Sequence, residues 1–172
     1  KADYGEKIDL KVILQNVGSD QSEAITATLA TDDPHIVLTS FVAASNGLNS
    51  GESATLDFGL HIRETIPNGY LATLYLTVWH DGTGVETTIP LPLYAPVLEA
   101  GAWSVDDSAQ GNGNGRLESG ESALLRIANH NKGGSDSPGA VGILTSAVPW
   151  LSVSNPTALG ALPAAAGQQE AQ

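Results

Sequence analysis

The chain contains an internal repeat, and this repeat restricts its fold more than any other sequence feature. Residues 5–18, GEKIDLKVILQNVG, align without a gap with residues 120–133, GESALLRIANHNKG, at an offset of 115 residues. The matched positions are turn residues, a proline and alternating apolar residues: Gly5 and Gly120, Glu6 and Glu121, Leu10 and Leu125, Asn16 and Asn131, Gly18 and Gly133, Leu29 and Leu144, and Pro34 and Pro149. Agreement of this kind indicates repeated structural units. We therefore predict two copies of one domain, at residues 1–98 and 99–172.

Apolar and polar residues alternate through the first copy with the period of two that is typical of half-buried strands. The alternation covers residues 8–14, 25–29, 56–62 and 70–79. Asp81-Gly82 then predicts a hairpin turn before a further strand at 85–94. No window shows the apolar spacing of a helix. About seven short strands in about 95 residues predict an all-β protein of tandem antiparallel β-sandwiches of immunoglobulin-like type.

The second copy is predicted to be incomplete. A one-residue shift aligns Gly51-Glu52 with Gly167-Gln168, after which the first copy continues through residue 94 and the second copy stops. Without counterparts of residues 57–94, the second copy would leave apolar faces and strand edges open. That half is then disordered, packs against the first copy, or receives strands from a partner chain. The first copy begins inside the same repeated motif, so we expect the chain to be a fragment of a longer protein.

Charge and composition exclude several classes of partner. The chain has 7 Lys+Arg against 19 Asp+Glu, a formal net charge of −12, which repels phosphate backbones and anionic membrane surfaces. Nucleic acid is therefore not an expected partner. No apolar run reaches the roughly 20 residues that span a bilayer, so no membrane insertion is expected. The absence of cysteine excludes disulfides and thiol chemistry within this chain.

The segment 111–121, GNGNGRLESGE, has the spacing of a calcium loop. An EF-hand loop places oxygen ligands at alternating positions, with a glycine at its sixth position and a glutamate at its end. With Gly115 at the sixth position, the predicted ligands are Gln110, Asn112, Asn114, the Arg116 carbonyl, Glu118 and Glu121, with Asp106 and Asp107 just upstream to add charge. We therefore predict that a loop at 106–121 binds Ca²⁺. The alternative is a plain glycine-rich turn in which Glu121 accepts backbone hydrogen bonds at the start of a strand.

No motif in the sequence favours catalysis. The chain lacks both the HExxH metal-ligand spacing and the G-x-S-x-G nucleophile elbow. The four histidines are scattered: His35, His61, His80 and His130. The adjacent carboxylates Asp32 and Asp33 are typical of a solvated turn. We predict that this chain is not an enzyme.

Two segments resemble a known family. GNGNGRLESGE followed by ALLRIANHNKGGSDSPG, at 111–121 and 123–139, resembles the opening of immunoglobulin-like repeats in secreted bacterial surface proteins, including accessory domains of gingipain-type cysteine peptidases. Residues 49–78 resemble the second half of such repeats, which are similar to CARDB-type adhesion domains. The family pattern carries proline and aspartate where this chain has Ser119 and Asn114. The resemblance implies a secreted or cell-surface module, structural or adhesive, whose partners include other domains of a larger bacterial protein.

The aromatic residues leave two functions open. Tyr75 and Trp79 fall on the same side of their predicted strand and would offer a strip for a glycan or a host or surface protein. The other interpretation is that large aromatic residues cover the core or a domain junction. Trp150 follows the shared proline and is predicted to be a packing residue. The leading prediction is a non-catalytic structural or accessory module, and the alternative is a cell-adhesion module that binds carbohydrate or protein.

Overall fold

The structure is a computed structural model that describes residues 1–154 and 156–164. Every regular element in these ranges is a β-strand, which confirms the prediction of an all-β protein. The strands are β1 (Ala2–Asp3), β2 (Lys7–Gln15), β3 (Ile25–Ala30), β4 (Ile36–Ser40), β5 (Val42–Ser45), β6 (Ser53–Ile62), β7 (Tyr70–His80), β8 (Thr83–Tyr94), β9 (Leu98–Gln110), β10 (Ser122–Asn131), β11 (Ser137–Gly142) and β12 (Thr157–Leu162). The chain divides into two compact units, Lys1–Ala95 and Pro96–Gln172.

The first unit is a β-sandwich. One sheet has the strand order β1-β8-β7-β3-β5 and the other has the order β2-β6-β4. β2 and β6 pair antiparallel from Lys7 opposite His61 to Gln15 opposite Ser53. Because neighbouring residues of a strand point to opposite faces, alternation in the sequence sends every second side chain into the space between the sheets.

The core of the first unit lies between these two sheets. Alternate residues of β6, including Phe58 and Leu60, are fully buried, and they pack in one cluster with residues of β7 and β8 such as Leu74 and Leu93. β2 adds the partly buried Ile8, Leu10, Val12 and Leu14 to the same cluster. This burial of apolar surface is the main favourable contribution to the stability of the unit.

The predicted hairpin at Asp81-Gly82 is confirmed. β7 and β8 pair from Tyr70 opposite Leu93 to His80 opposite Thr83. Asp81 and Gly82 both have positive φ, at 47° and 71°, which a two-residue turn between twisted strands requires. The turn therefore fixes the register of the longest strand pair in the unit.

The second unit consists of two antiparallel hairpins in its described part, β9–β10 and β11–β12. Among its described residues, the buried side chains are polar: Asp107, Asn131, Ser135 and Ser137. The buried apolar residues described in the chain all belong to the first unit. The prediction that Trp150 is a packing residue is wrong, since its side chain is 82% exposed and no described strand covers it. Gly167-Gln168, used in the predicted alignment of the two copies, lie outside the described residues.

In the described ranges we find no helix of the length and apolar character that spanning a membrane requires.

Candidate functional site

The loop between β9 and β10 is built around the buried carboxylate of Asp107. One oxygen, Oδ2, accepts the amides of Gly113 and Asn114 at 2.9 and 3.1 Å, and Oδ1 accepts the amide of Gly115 at 3.0 Å. Consecutive backbone N–H groups that converge in this way form an anion-binding nest. Here the anion belongs to the chain itself. The hydrogen bond from Gly115 holds the pKa of Asp107 below its usual value, against the opposing effect of burial.

Glycines permit this loop to close over Asp107. Gly113 and Gly115 have φ of 76° and 75°, a region that favours glycine. Gly111 is required for a different reason, since an added Cβ would lie 2.8 Å from Cβ of Asp107 and 2.9 Å from its carbonyl oxygen. The glycine-rich composition of the loop thus follows from its close approach to one side chain.

Glu121 closes a tight turn at the end of the same loop. Its Oε2 accepts the amide of Glu118 at 3.0 Å, and its own amide donates to the Glu118 carbonyl at 3.2 Å. Gly120 between them has φ of 84°. The second carboxylate oxygen, Oε1, accepts the amide of Asn112 at 3.2 Å. This is the arrangement that the plain-turn interpretation predicts for Glu121.

The same turn occurs twice in the first unit. Oε2 of Glu6 accepts the amide of Asp3 at 3.0 Å, and Oε2 of Glu52 accepts the amide of Asn49 at 2.9 Å. Each glutamate also donates its amide to the carbonyl of the residue three positions earlier, at 3.2 and 2.9 Å. The intervening glycines, Gly5 and Gly51, have positive φ. Each Gly-Glu pair stands directly before a strand, so its carboxylate stabilises a turn.

The remaining polar side chains of the loop bind one another. Oε2 of Glu118 accepts Nδ2 of Asn112 at 2.7 Å and Nδ2 of Asn114 at 3.4 Å. The two asparagine Oδ1 atoms accept the amides two residues ahead, from Asn114 at 3.1 Å and from Arg116 at 2.8 Å. Such local bonds are the usual reason that asparagine favours turns.

Asp106 turns away from the loop. Its Oδ1 accepts the hydroxyl of Ser108 at 2.6 Å and its Oδ2 accepts Nη2 of Arg126 at 2.8 Å. The Ser108 hydrogen bond, followed by that of Arg126, lowers the pKa of Asp106 to about 2. Gln110 ends β9 opposite Ser122. Asp106 and Gln110 therefore take no described part in the hydrogen bonds of the loop.

The residues predicted as calcium ligands do not fit the ion in this conformation. Asn112, Asn114, Glu118 and Glu121 come together with Asp107, but their oxygens accept N–H groups, which an ion would have to replace. Within residues 1–154 and 156–164, no group of three His, Cys, Asp or Glu side chains is placed to hold a metal ion. An EF-hand loop and this turn share the same sequence spacing, because both need glycine at a bend and oxygens at alternate positions. Calcium binding stays a prediction.

Thermal melting in millimolar calcium and in EGTA tests that prediction. Because the loop oxygens already accept hydrogen bonds, we expect the same midpoint in both solutions. The measurement is circular dichroism or calorimetry of the full chain, with Glu121→Gln melted in parallel. A midpoint that rises by several degrees in calcium for the parent chain, but not for Glu121→Gln, would show that the loop rearranges around an ion.

Tyr75 and Trp79 lie four residues apart on β7 and have different surroundings. Trp79 is half-exposed and lies across from Gly84 on the adjacent strand. A Cβ added to Gly84 would be 2.8 Å from a carbon of the Trp79 ring, so the ring lies directly over this glycine. Tyr75 instead lines a shallow polar depression of about 230 Å³ with Asp32, Asp33 and Tyr70. In that depression, Asp33 accepts the amide of His35 at 2.9 Å, and its hydrogen bond to Tyr70 raises the pKa of that phenol.

The sequence predicted for Asp107 only an additional charge beside a calcium loop. For Asn16 and Asn131 it predicted no role beyond being matched positions of the repeat. One signal for Asp107 was available, namely a carboxylate placed just before two consecutive Asn-Gly pairs. That pattern supplies an anion and the bends that turn backbone amides toward it. The asparagines are hydrogen-bonding centres, and their bonds connect segments about thirty residues apart, which no local pattern reveals.

No protein-family description and no curated protein matches the chain. Solved structures are similar to it, and three of them are described here. The periplasmic chaperone SfaE has 12% identity over 72% of this chain and 76% of that chain, with a TM-score of 0.34. The CsuC–CsuE chaperone–tip adhesion subunit complex of Csu pili from Acinetobacter baumannii has 14% identity over 81% and 76%, with a TM-score of 0.27. The YadV chaperone has 14% identity over 93% and 81%, with a TM-score of 0.30. Because these TM-scores are low, the architecture is assigned from the strand pairing of this chain and not from these structures.

Proposed function

We propose that this chain is a non-catalytic structural module of a larger exported protein, built from two copies of an immunoglobulin-like domain. The observation that carries the proposal is a matched set of hydrogen bonds around Asn16 and Asn131. Asn16 Oδ1 accepts the amide of Gly18 at 2.9 Å, and its Nδ2 donates to the carbonyls of Asp20 and Leu48, both at 2.8 Å.

Asn131 has the same bonds in the second unit. Its Oδ1 accepts the amide of Gly133 at 3.0 Å, and its Nδ2 donates to the carbonyls of Ser135 at 2.8 Å and Leu162 at 3.1 Å. The bonds connect residues two, four and about thirty positions ahead, as they do for Asn16. Asparagine side chains that bind distant carbonyls hold loops in place. The match supports common descent of the two units and a structural role for their polar residues.

The turn glutamates support the same proposal. Glu6 and Glu121 are related by the repeat and accept the same backbone amide three residues earlier. The polar side chains of the candidate loop are therefore occupied in closing turns, an arrangement suited to a spacer or stabilising module. Export and a bacterial surface location follow from the family resemblance of residues 111–139 and 49–78, and are part of the proposal.

Titration of the labelled full chain with a panel of mono- and disaccharides separates this function from the carbohydrate-binding form of the adhesin alternative. We expect no saturable shift of the Trp79 indole or Tyr75 signals, because the Trp79 ring packs on Gly84 and Tyr75 lines a polar depression. The measurement is two-dimensional NMR, with Trp79→Ala as the matched variant. Saturable binding by the parent chain that Trp79→Ala abolishes would establish a carbohydrate-binding module instead.

A further inference from the structure

Four asparagines of the chain directly precede a glycine, and such pairs undergo a spontaneous chemical change. The pairs are Asn46-Gly47, Asn68-Gly69, Asn112-Gly113 and Asn114-Gly115. Asparagine is among the thermolabile residues of proteins, and a following glycine favours its reaction because glycine has no side chain to obstruct the approach of its nitrogen. The folded structure treats the four pairs differently, so it determines which of them reacts.

The reaction is an intramolecular attack on the asparagine side chain. The backbone nitrogen of the glycine loses its proton and forms a bond to the side-chain carbonyl carbon of the asparagine. The bond from that carbon to the side-chain nitrogen breaks, the leaving group takes up a proton and departs as ammonia, and a cyclic succinimide remains. Water then opens the ring to aspartate or to isoaspartate. The reaction therefore requires a glycine nitrogen that can lose its proton and an asparagine side chain that can turn toward it.

The buried carboxylate of Asp107 restrains both pairs in the loop between β9 and β10. The Gly113 amide donates to Oδ2 of Asp107 at 2.9 Å, and the Gly115 amide donates to Oδ1 at 3.0 Å. Each nitrogen that would have to attack is thus held in a hydrogen bond to a negative charge. Loss of its proton would place a second negative charge beside the first, which is unfavourable.

The side chains of the two loop asparagines are held as well. Oδ1 of Asn112 accepts the amide of Asn114 at 3.1 Å, and Oδ1 of Asn114 accepts the amide of Arg116 at 2.8 Å. Both asparagines also donate Nδ2 to Glu118. Ring closure requires the side-chain carbonyl carbon to reach the following nitrogen, and these bonds oppose that movement.

Asn46-Gly47 has neither restraint. Asn46 is exposed and follows the end of β5. Within residues 1–154 and 156–164, the Asn46 side chain has no hydrogen-bond partner and the Gly47 amide has no acceptor. The Ser45 hydroxyl donates to the Asn46 carbonyl at 3.1 Å, which polarises the peptide bond to Gly47 and favours loss of the proton from its nitrogen. By contrast, Oδ1 of Asn68 accepts the amide of Ala95 at 3.2 Å.

We propose that Asn46 is a modification site, at which the folded chain deamidates through a succinimide formed with the Gly47 nitrogen. Asn112 and Asn114 are protected by Asp107. The product carries one additional negative charge at position 46, and its isoaspartate form has one additional methylene in the main chain. This inference is independent of the proposed function.

The additional methylene falls between β5 and a fixed residue. Leu48 is buried, its amide donates to Oγ of Ser22 at 3.0 Å, and its carbonyl accepts the amide of Ser22 at 3.0 Å. Because both ends of this short connection are held, isoaspartate at position 46 would displace Leu48 or the end of β5. Modification of Asn46 therefore alters the backbone of the first unit as well as its charge.

Incubation of the full chain in mildly alkaline buffer, followed by peptide mapping with mass spectrometry, tests the proposal. Each deamidation is detected as the mass difference between a hydroxyl and an amino group, and fragmentation assigns it to one residue. We expect Asn46 to react about tenfold faster or more than Asn112 and Asn114, because the loop must open locally before its asparagines can react. The matched control is the same chain in urea, where the folded contacts are lost and the rates are expected to agree within about threefold.

Asp107→Asn provides the second control. It is expected to accelerate the reaction of Asn112 and Asn114 and to leave the rate at Asn46 unchanged. Equal rates at Asn46 and Asn112 in the folded parent chain, or a preference for Asn46 that persists in urea, would overturn the proposal. Loop asparagines that react as slowly in Asp107→Asn as in the parent chain would overturn the protective role of Asp107.

Discussion

Replacement of Phe58 by alanine is expected to lower the free energy of unfolding of the first unit by about 3–5 kcal/mol. Phe58 is the largest fully buried side chain in the unit and lies at the centre of β6, between the two sheets. Its removal loses the transfer free energy of the ring and leaves a cavity that neighbouring strands cannot fill without breaking their register. Urea unfolding of the full chain, followed through the amide signals of Leu60 and Leu74, measures the loss.

Ile13→Ala is the matched control for Phe58→Ala. Ile13 lies on β2, opposite Thr55 on β6, but its side chain points outward and is 72% exposed. A change at such a position is expected to alter the free energy of unfolding by less than about 0.5 kcal/mol. Similar losses for the two variants would contradict the assignment of the core to the space between the two sheets.

The alternation of the first unit predicted its architecture because one face of each strand is buried. Residues 56–62 and 70–79 alternate in the sequence, and the structure places the apolar residues of one face of each strand in one core. The short strands β4 and β5 were not singled out by the sequence. β4 ends in exposed polar residues, and β5 has only four residues, so neither gives a clear period. Strand identity is therefore predictable where burial is one-sided and the strand is long.

The candidate loop could be located from the sequence, but its chemistry could not be determined. Its glycines and asparagines predicted a sharp bend with oxygens at alternate positions, and the structure has both. The spacing does not specify the direction of the backbone amides. In the structure three of them point at Asp107, so the carboxylate acts as a hydrogen-bond acceptor at the centre of the loop. The prediction that Trp150 is a packing residue was wrong for a related reason. Packing of a side chain depends on strands that cover it, and sequence similarity to the first copy does not show that such strands are present.

Asp107→Asn is expected to increase amide hydrogen exchange at Gly113, Asn114 and Gly115 by roughly tenfold or more. The substitution keeps the shape of the side chain but replaces one acceptor oxygen by a donor NH₂ group, which faces N–H groups that are donors themselves. Because the folded state lowers the pKa of Asp107, its contribution is complete above the ordinary aspartate pKa of about 4. It is lost as the pH falls through the lower folded pKa. Exchange measured by NMR near neutral pH therefore reports the fully ionised loop.

Glu118→Gln is the control for the loop. Glu118 accepts only the side-chain amides of Asn112 and Asn114 in the described contacts of its carboxylate, and its own backbone amide bonds to Glu121 in either variant. We expect the exchange of the three amides to change by less than about threefold, since no backbone donor loses its acceptor. Faster exchange in Glu118→Gln than in Asp107→Asn would place the organising charge at the loop surface. An effect confined to Asp107→Asn identifies a loop that folds around its own buried anion, with no requirement for an external ligand.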